Sequence, residues 1–128
     1  MKLLLDTHIM LWWLRDNPRL GPNTKSLISG AQAKILVSVA SFWELSIKAR
    51  RGQFDEPGSV LFDEARRGGL LPLDIRAHHL AALEAIVAQP KHKDPFDHLI
   101  LAQAIAENAL LVTNDRQLRQ YGVRCFPA

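Results

Sequence analysis

"KLLLDTHIMLWWL", residues 2–14, decides how the rest of the chain is read. Residues 2–5 are too short for a helix and lack the alternation of a half-exposed strand. They read as a short strand buried on both faces. Residues 7–15 then read as a helix that stops before Asn17-Pro18. Asp6 is left at the junction between the two, directly after the strand.

The same unit recurs outward from this point. "ILVSVA" (35–40) is a β-branched strand, after which Ser41 is expected to cap a helix running to about Arg51, with Gly52 as its stop. "LLPL" (70–73), "LLVT" (110–113) and "VRCF" (123–126) supply three more short strands. Helices are expected from Asn23-Thr24 to about Ala33, over 59–67 and 76–88, from Pro95 to about Asn108, and over 115–121. "DEPGS" (55–59) and "AQPKHKD" (88–94) are loops inside one domain spanning 1–128. Short apolar strands separated by helices predict an α/β fold with a parallel sheet covered on both faces. Periodicity does not order the strands.

The bulk properties agree with one ordinary soluble domain of 128 residues, 48% hydrophobic and 23% charged. Asp6 interrupts the apolar start, so no secretory leader is expected, and no apolar run approaches the ~20 residues of a membrane span. A single cysteine, Cys125, leaves no internal disulfide framework and no cysteine zinc site, and fits a cytoplasmic protein. The net charge of +3 permits a polyanionic partner without demanding one.

In a parallel sheet all strand carboxyl ends share one edge, where ligands bind. Asp6 follows the first strand, Glu44 is expected in the first turn after "ILVSVA", and Asp115 lies two residues beyond "LLVT". Asp97 joins them if the helix of "HKDPFDHLILAQA" (92–104) starts at that edge. Each acid also has an ordinary role. Asp6, and Asn114 or Asp115, suit helix caps. Glu44 and Lys48 form an i, i+4 pair, and Asp94, Pro95 and Asp97 fit N-cap, N1 and N3. Capping does not require an acid at every junction, because Ser, Thr and Asn cap as well. Clustered carboxylates need a cation, and oxygen donors favour a hard ion such as Mg²⁺ or Mn²⁺. Spacing and composition therefore leave two readings, a metal-assisted phosphoryl hydrolase or a metal-binding module.

"LLLDTHIMLWWL", "SVASFWELSIKARRGQF", "HKDPFDHLILAQA" and "LLVTND", in this order, resemble the PIN-domain proteins, and most of all the VapC-type toxins of bacterial toxin–antitoxin pairs. The resemblance implies an α/β/α sandwich and an Mg²⁺- or Mn²⁺-dependent endoribonuclease acting on RNA. It places the family's acidic positions at Asp6, Glu44, Asp97 and Asp115, and its usual hydroxyl at Thr113. It also implies a homodimer inhibited by a small VapB-type antitoxin whose tail enters the acidic groove. Members with this "DPFD" segment often carry arginine after its second aspartate. His98 stands there in this chain, which weakens the expectation of a phosphate contact from that position.

The other expectations are simpler. Asp94 starts the helix and is a candidate for support behind the metal ligands, and Asn114 flanks Asp115. Lys91, His92 and Lys93 are the candidate phosphate contacts. The basic residues of "KARR" (48–51) and "ARR" (65–67) mainly complement helix C-termini. His78-His79 read as a helix surface. Trp12 and Trp13 read as core or dimer interface, with base stacking as a lesser alternative, and Met10, Phe42, Leu45 and Phe96 as packing residues. Two rivals to the nuclease stay open: a catalytically silent interaction module of the same fold, and a phosphatase using Asp6 as nucleophile. That phosphatase chemistry commonly wants a second aspartate two residues on, where this chain has His8.

Overall fold

In the computed structural model, residues 1–30, 34–86, 94–121 and 125–127 are described. The elements run β1 (Lys2–Leu5), α1 (Thr7–Leu14), α2 (Pro22–Ser29), β2 (Lys34–Ser38), α3 (Val39–Arg50), α4 (Gly58–Arg67) and β3 (Leu71–Leu73). They continue with α5 (Ala77–Glu84), α6 (Pro95–Ala106), β4 (Leu110–Thr113), a turn of 3₁₀ helix (Leu118–Tyr121) and β5 (Cys125–Pro127). All pairings are parallel, in the order β3-β2-β1-β4-β5. Chain order reverses direction at β1, so the switch point falls between β1 and β4.

Register and alternation sort the core into two layers. Leu3 and Leu5 of β1, Val37 of β2 and Val112 of β4 pack with Ile9, Met10, Ile28, Phe42, Leu45 and Leu61 of α1–α4. The intervening Leu4, Leu36 and Leu111 face the other way, onto Ile100, Leu101 and Ala104 of α6 and onto Leu118. The sheet is thus buried on both faces, which is why its strands read as unbroken apolar runs. This is the expected α/β/α sandwich. Among the described residues no helix is long and apolar enough to cross a membrane.

Several boundaries differ from the sequence reading. Ser38, not Ser41, caps α3: its Oγ accepts the Ala40 N–H at 3.0 Å while its backbone still pairs with Leu73 of β3. The last strand residue is therefore also the helix cap, and α3 starts three residues early. Glu44 becomes its sixth residue, in the second turn rather than the first. Helix α2 opens at Pro22, α5 spans only Ala77–Glu84, and the expected helix at 115–121 is the 3₁₀ turn. Gly52 ends α3 at φ +70°, as expected, with the Gln53 N–H on the Lys48 carbonyl at 2.9 Å.

His79 is a correction of another kind. His78 is exposed as expected, but His79 is fully buried. Its Nδ1 accepts the Arg76 backbone N–H at 3.0 Å, which leaves Nε2 as the protonated nitrogen, 2.9 Å from Glu107 Oε2. His78 Nε2 reaches the same oxygen at 2.9 Å, and Lys2 Nζ lies 3.2 Å from Oε1. Glu107, the C-cap of α6, thereby ties α5, α6 and β1 together. Hydrogen bonds from His79, then His78 and Lys2, hold its carboxyl down to about 2.

Candidate metal centre

Three junctions converge above the switch point. Asp6, one residue beyond the Leu5↔Val112 pair, is the N-cap of α1 and only 8% exposed. Its backbone N–H donates to the Val112 carbonyl at 3.0 Å, which fixes the main chain against β4. The Thr7 N–H donates to Asp6 Oδ1 at 2.7 Å, and the hydroxyl of fully buried Thr113 donates to Oδ2 at 2.7 Å. Each carboxylate oxygen receives one donor and keeps lone-pair capacity for a cation.

Thr113 also accepts the Asp115 N–H at 3.0 Å, and Asp115 Oδ1 accepts the Gln117 N–H at 2.9 Å. One hydroxyl thus couples the acid after β1 to the acid after β4. Asp115 closes a side-chain turn rather than capping an α-helix.

Glu44 comes from α3. The Thr7 hydroxyl is shared between Ser41 Oγ at 2.8 Å and Glu44 Oε1 at 3.3 Å, and Lys48 Nζ lies 3.4 Å from Glu44 Oε2. The expected i, i+4 pair is present, at the wall of the site. Thr7 and Ser41 were not singled out from the sequence as site residues. The signal available was helical: Ser41, Glu44 and Lys48 stand three and four residues apart on one face.

Asp97 reaches the same place from the opposite layer. A crossover helix between parallel strands runs antiparallel to them, so α6, which precedes β4, starts at the carboxyl edge. Asp94 caps it, accepting the Phe96 N–H at 2.9 Å and the Asp97 N–H at 3.5 Å, with Pro95 at the first helical position. This satisfies the condition under which Asp97 was expected to join the other acids.

Asp6, Glu44, Asp97 and Asp115 line one cavity of about 400 Å³, together with Asp94, Asn114, Thr7, His8 and Lys48. Thr113 lies beneath it. Among the described residues five carboxylates thus face one ammonium, and an all-oxygen acidic set of this kind suits a hard divalent cation. Lys91, His92 and Lys93 lie outside the described residues. His98 turns away to Tyr121, with Nε2 3.2 Å from the phenol oxygen. Trp12 and Trp13 are half-buried against the core, as expected.

A second group of potential donors, His78, His79 and Glu107, holds its ligand atoms within 4.8 Å of one another. The proton left on His79 Nε2 by the Arg76 contact makes that group a hydrogen-bonded clamp in the present arrangement.

Comparison with known proteins agrees with this architecture. The PIN domain family model matches residues 3–123. Ribonuclease VapC22 of Mycobacterium tuberculosis is 30% identical over 125 residues, covering 93% of this chain and 91% of that protein. In the solved VapBC2 of Rickettsia felis, bound to a promoter DNA fragment, the matching chain superposes with a TM-score of 0.75 at 20% identity. The match covers 99% of this chain and 98% of that one. In the DNA-bound VapBC of Salmonella typhimurium the TM-score is 0.73 at 19% identity, over 99% and 98% of the two chains. With the sheet order, the acid-lined switch point and near-full-length matches in agreement, the chain belongs to the PIN-domain family and is of the VapC type.

Proposed function

We propose that the protein is a metal-dependent endoribonuclease, the toxin of a toxin–antitoxin pair, with Asp6, Glu44, Asp97 and Asp115 as its metal-holding and catalytic residues. The observation that carries this reading is the convergence of those four acids, from four separate segments of the chain, on one cavity in a chain of the VapC type. Mg²⁺ is the proposed ion, with Mn²⁺ as the alternative. When bound it supplies Lewis acidity toward the scissile phosphate and lowers the pKa of the attacking water.

The chain's own residues do the rest. Thr7 and Thr113 hold the two oxygens of Asp6 in a set orientation. Thr7 and Lys48 set Glu44 from either side. Asp94 holds the first turn of α6, and with it the backbone that presents Asp97. These acids position the ion and the water, and no side chain is needed as a covalent nucleophile. Lys48, at the cavity wall, offsets part of the repulsion between the acids and an RNA phosphate. Lys91, His92 and Lys93 are proposed as further phosphate contacts, and Asn114 as support for Asp115.

The proposed partners are RNA as substrate, a second copy in a homodimer, and a VapB-type antitoxin; the last is supported by the VapBC complexes that share the fold. The proposed setting is the cytoplasm. The test is cleavage of single-stranded RNA by the purified protein. Cleavage should require added Mg²⁺ or Mn²⁺, stop with EDTA, and vanish in Asp6→Asn with the fold intact by circular dichroism. A folded Asp6→Asn protein with full activity refutes the site assignment. A wild-type protein that binds the antitoxin but cuts no RNA under any divalent ion would establish the silent-module reading instead.

A further inference from the structure

Helix α3 presents three stripes. Phe42 and Leu45 are buried in the core, and Ser41, Glu44 and Lys48 turn toward the carboxylate cavity. The third stripe, Trp43, Ile47, Arg50 and Arg51, keeps the same helical spacing and lines a separate cavity of about 410 Å³. Trp43 is 56% exposed, a large apolar residue to leave in water. It is nevertheless held, packing edge to face on Phe96 with ring centroids 5.1 Å apart and planes at 66°.

Its position ties it to the acidic site. Trp43 directly precedes Glu44, and Phe96 directly precedes Asp97. Arg50 and the C-cap Arg51 stand beyond it at the end of α3, and Lys48 lies on the neighbouring stripe that faces the carboxylates. A held aromatic ring flanked by cations, next to a phosphoryl-transfer site, has the two elements that bind single-stranded nucleic acid: a π-face for the base and positive charge for the backbone. Trp43 also borders a shallower hollow with Val39, Phe42 and Phe62, and it is the two arginines at the other end of the patch that suit a polyanion.

We propose that Trp43 is a base-stacking platform for single-stranded RNA, holding a nucleobase beside the scissile phosphate while Arg50 and Arg51 contact the flanking phosphates. The proposal rests on the ribonuclease reading above and extends it to substrate positioning.

Anisotropy of a fluorescein-labelled single-stranded RNA, with EDTA present to prevent cleavage, tests it on the full chain. Trp43→Ala should weaken binding roughly tenfold, and Trp43→Phe should restore most of the loss. Arg50→Ala with Arg51→Ala should flatten the log–log salt dependence by about 1.4. A single abasic site walked along the RNA should, at one position, cost wild type the same factor and cost Trp43→Ala nothing further. Thermal melts verify that each variant is folded, and the exposure of Trp43 makes its replacement benign.

Unchanged RNA affinity in folded Trp43→Ala overturns the proposal. So does a variant that alters the sedimentation of the free protein, or loses antitoxin binding, while RNA affinity stays intact, because Trp43 would then belong to a protein interface. The two readings fail separately. Mg²⁺-dependent cleavage by wild type with no effect of Trp43→Ala on RNA affinity removes the stacking platform alone. A wild type that neither binds nor cuts RNA removes both.

Discussion

Replacing Thr113 by valine removes one hydroxyl and nearly preserves the side-chain shape. That hydroxyl is fully buried, donates to Asp6 Oδ2 at 2.7 Å and accepts the Asp115 N–H at 3.0 Å. A hydrogen bond to an ionised carboxylate contributes about 1.5–3 kcal/mol, and Asp6 is only 8% exposed, so water replaces the donor poorly. The Asp115 N–H is half-buried and can be hydrated. The new methyl returns about 0.8 kcal/mol of burial. The net loss is about 1–2 kcal/mol, a fall of roughly 0.5–1 M in the urea midpoint. Activity should suffer more than stability, because an unoriented Asp6 holds the ion less well. The Mg²⁺ concentration for half-maximal RNA cleavage should rise roughly 10–100-fold, the usual cost of removing a hydrogen-bond partner behind a metal ligand. Thr113→Ser separates the two effects: it loses a buried methyl and some stability but should keep the wild-type Mg²⁺ dependence. The reasoning is refuted if Thr113→Val titrates with Mg²⁺ like wild type, or if Thr113→Ser is impaired as badly as Thr113→Val.

Three more outcomes are expected. Asp94 and Asp97 should not behave alike. Asp94→Asn should be mild, because asparagine also caps, while Asp97→Asn should abolish most RNA cleavage at little cost in melting temperature, and equal activity losses would contradict the division. Gly58→Ala should destabilise by roughly 1–3 kcal/mol in urea unfolding, because a Cβ there would stand 2.1 Å from the Phe42 carbonyl oxygen and 2.2 Å from Ser46 Oγ. A wild-type midpoint would mean that α3 and α4 separate easily. The Glu107 carboxyl is held at about 2, below its ordinary 4.5. A folded-state value below the unfolded one stabilises above pH ~4.5, and the contribution, at most ~3 kcal/mol, is lost as pH falls toward 2. Glu107→Gln should therefore be less stable than wild type at pH 7 and flatter across that acid window in urea midpoints, and parallel curves would rule the clamp out.

Much of the site was legible because strand-to-helix junctions carry a positional meaning that does not depend on strand order. Asp6 and Asp115 lie one and two residues beyond their strands, so any parallel arrangement brings them to one edge. Other features could not be read this way. The buried state of His79 depends on Glu107, 28 residues later in the chain, and no local pattern reports a partner at that distance. Ser41 looked like a cap because it follows an apolar run, yet β2 stops pairing at Ser38, and the capping role moved with it. Trp43 was passed over because exposure is a property of the helix's neighbours rather than of its own sequence.

By itself the sequence determined the number and approximate extent of the strands, the parallel α/β class, the helix start at Asp94-Pro95 and the acids at the junctions. These follow from short-range physics: apolar run length, capping chemistry and proline geometry. Only the tertiary structure decided the order β3-β2-β1-β4-β5, and with it the switch point that sets Asp6 beside Thr113 and Asp115. It also decided that Glu44 and Asp97, carried by helices of opposite layers, line the same cavity. Those facts depend on which strands become neighbours. Pairing across a sheet is chosen by the packing of the whole core, and no single segment encodes it.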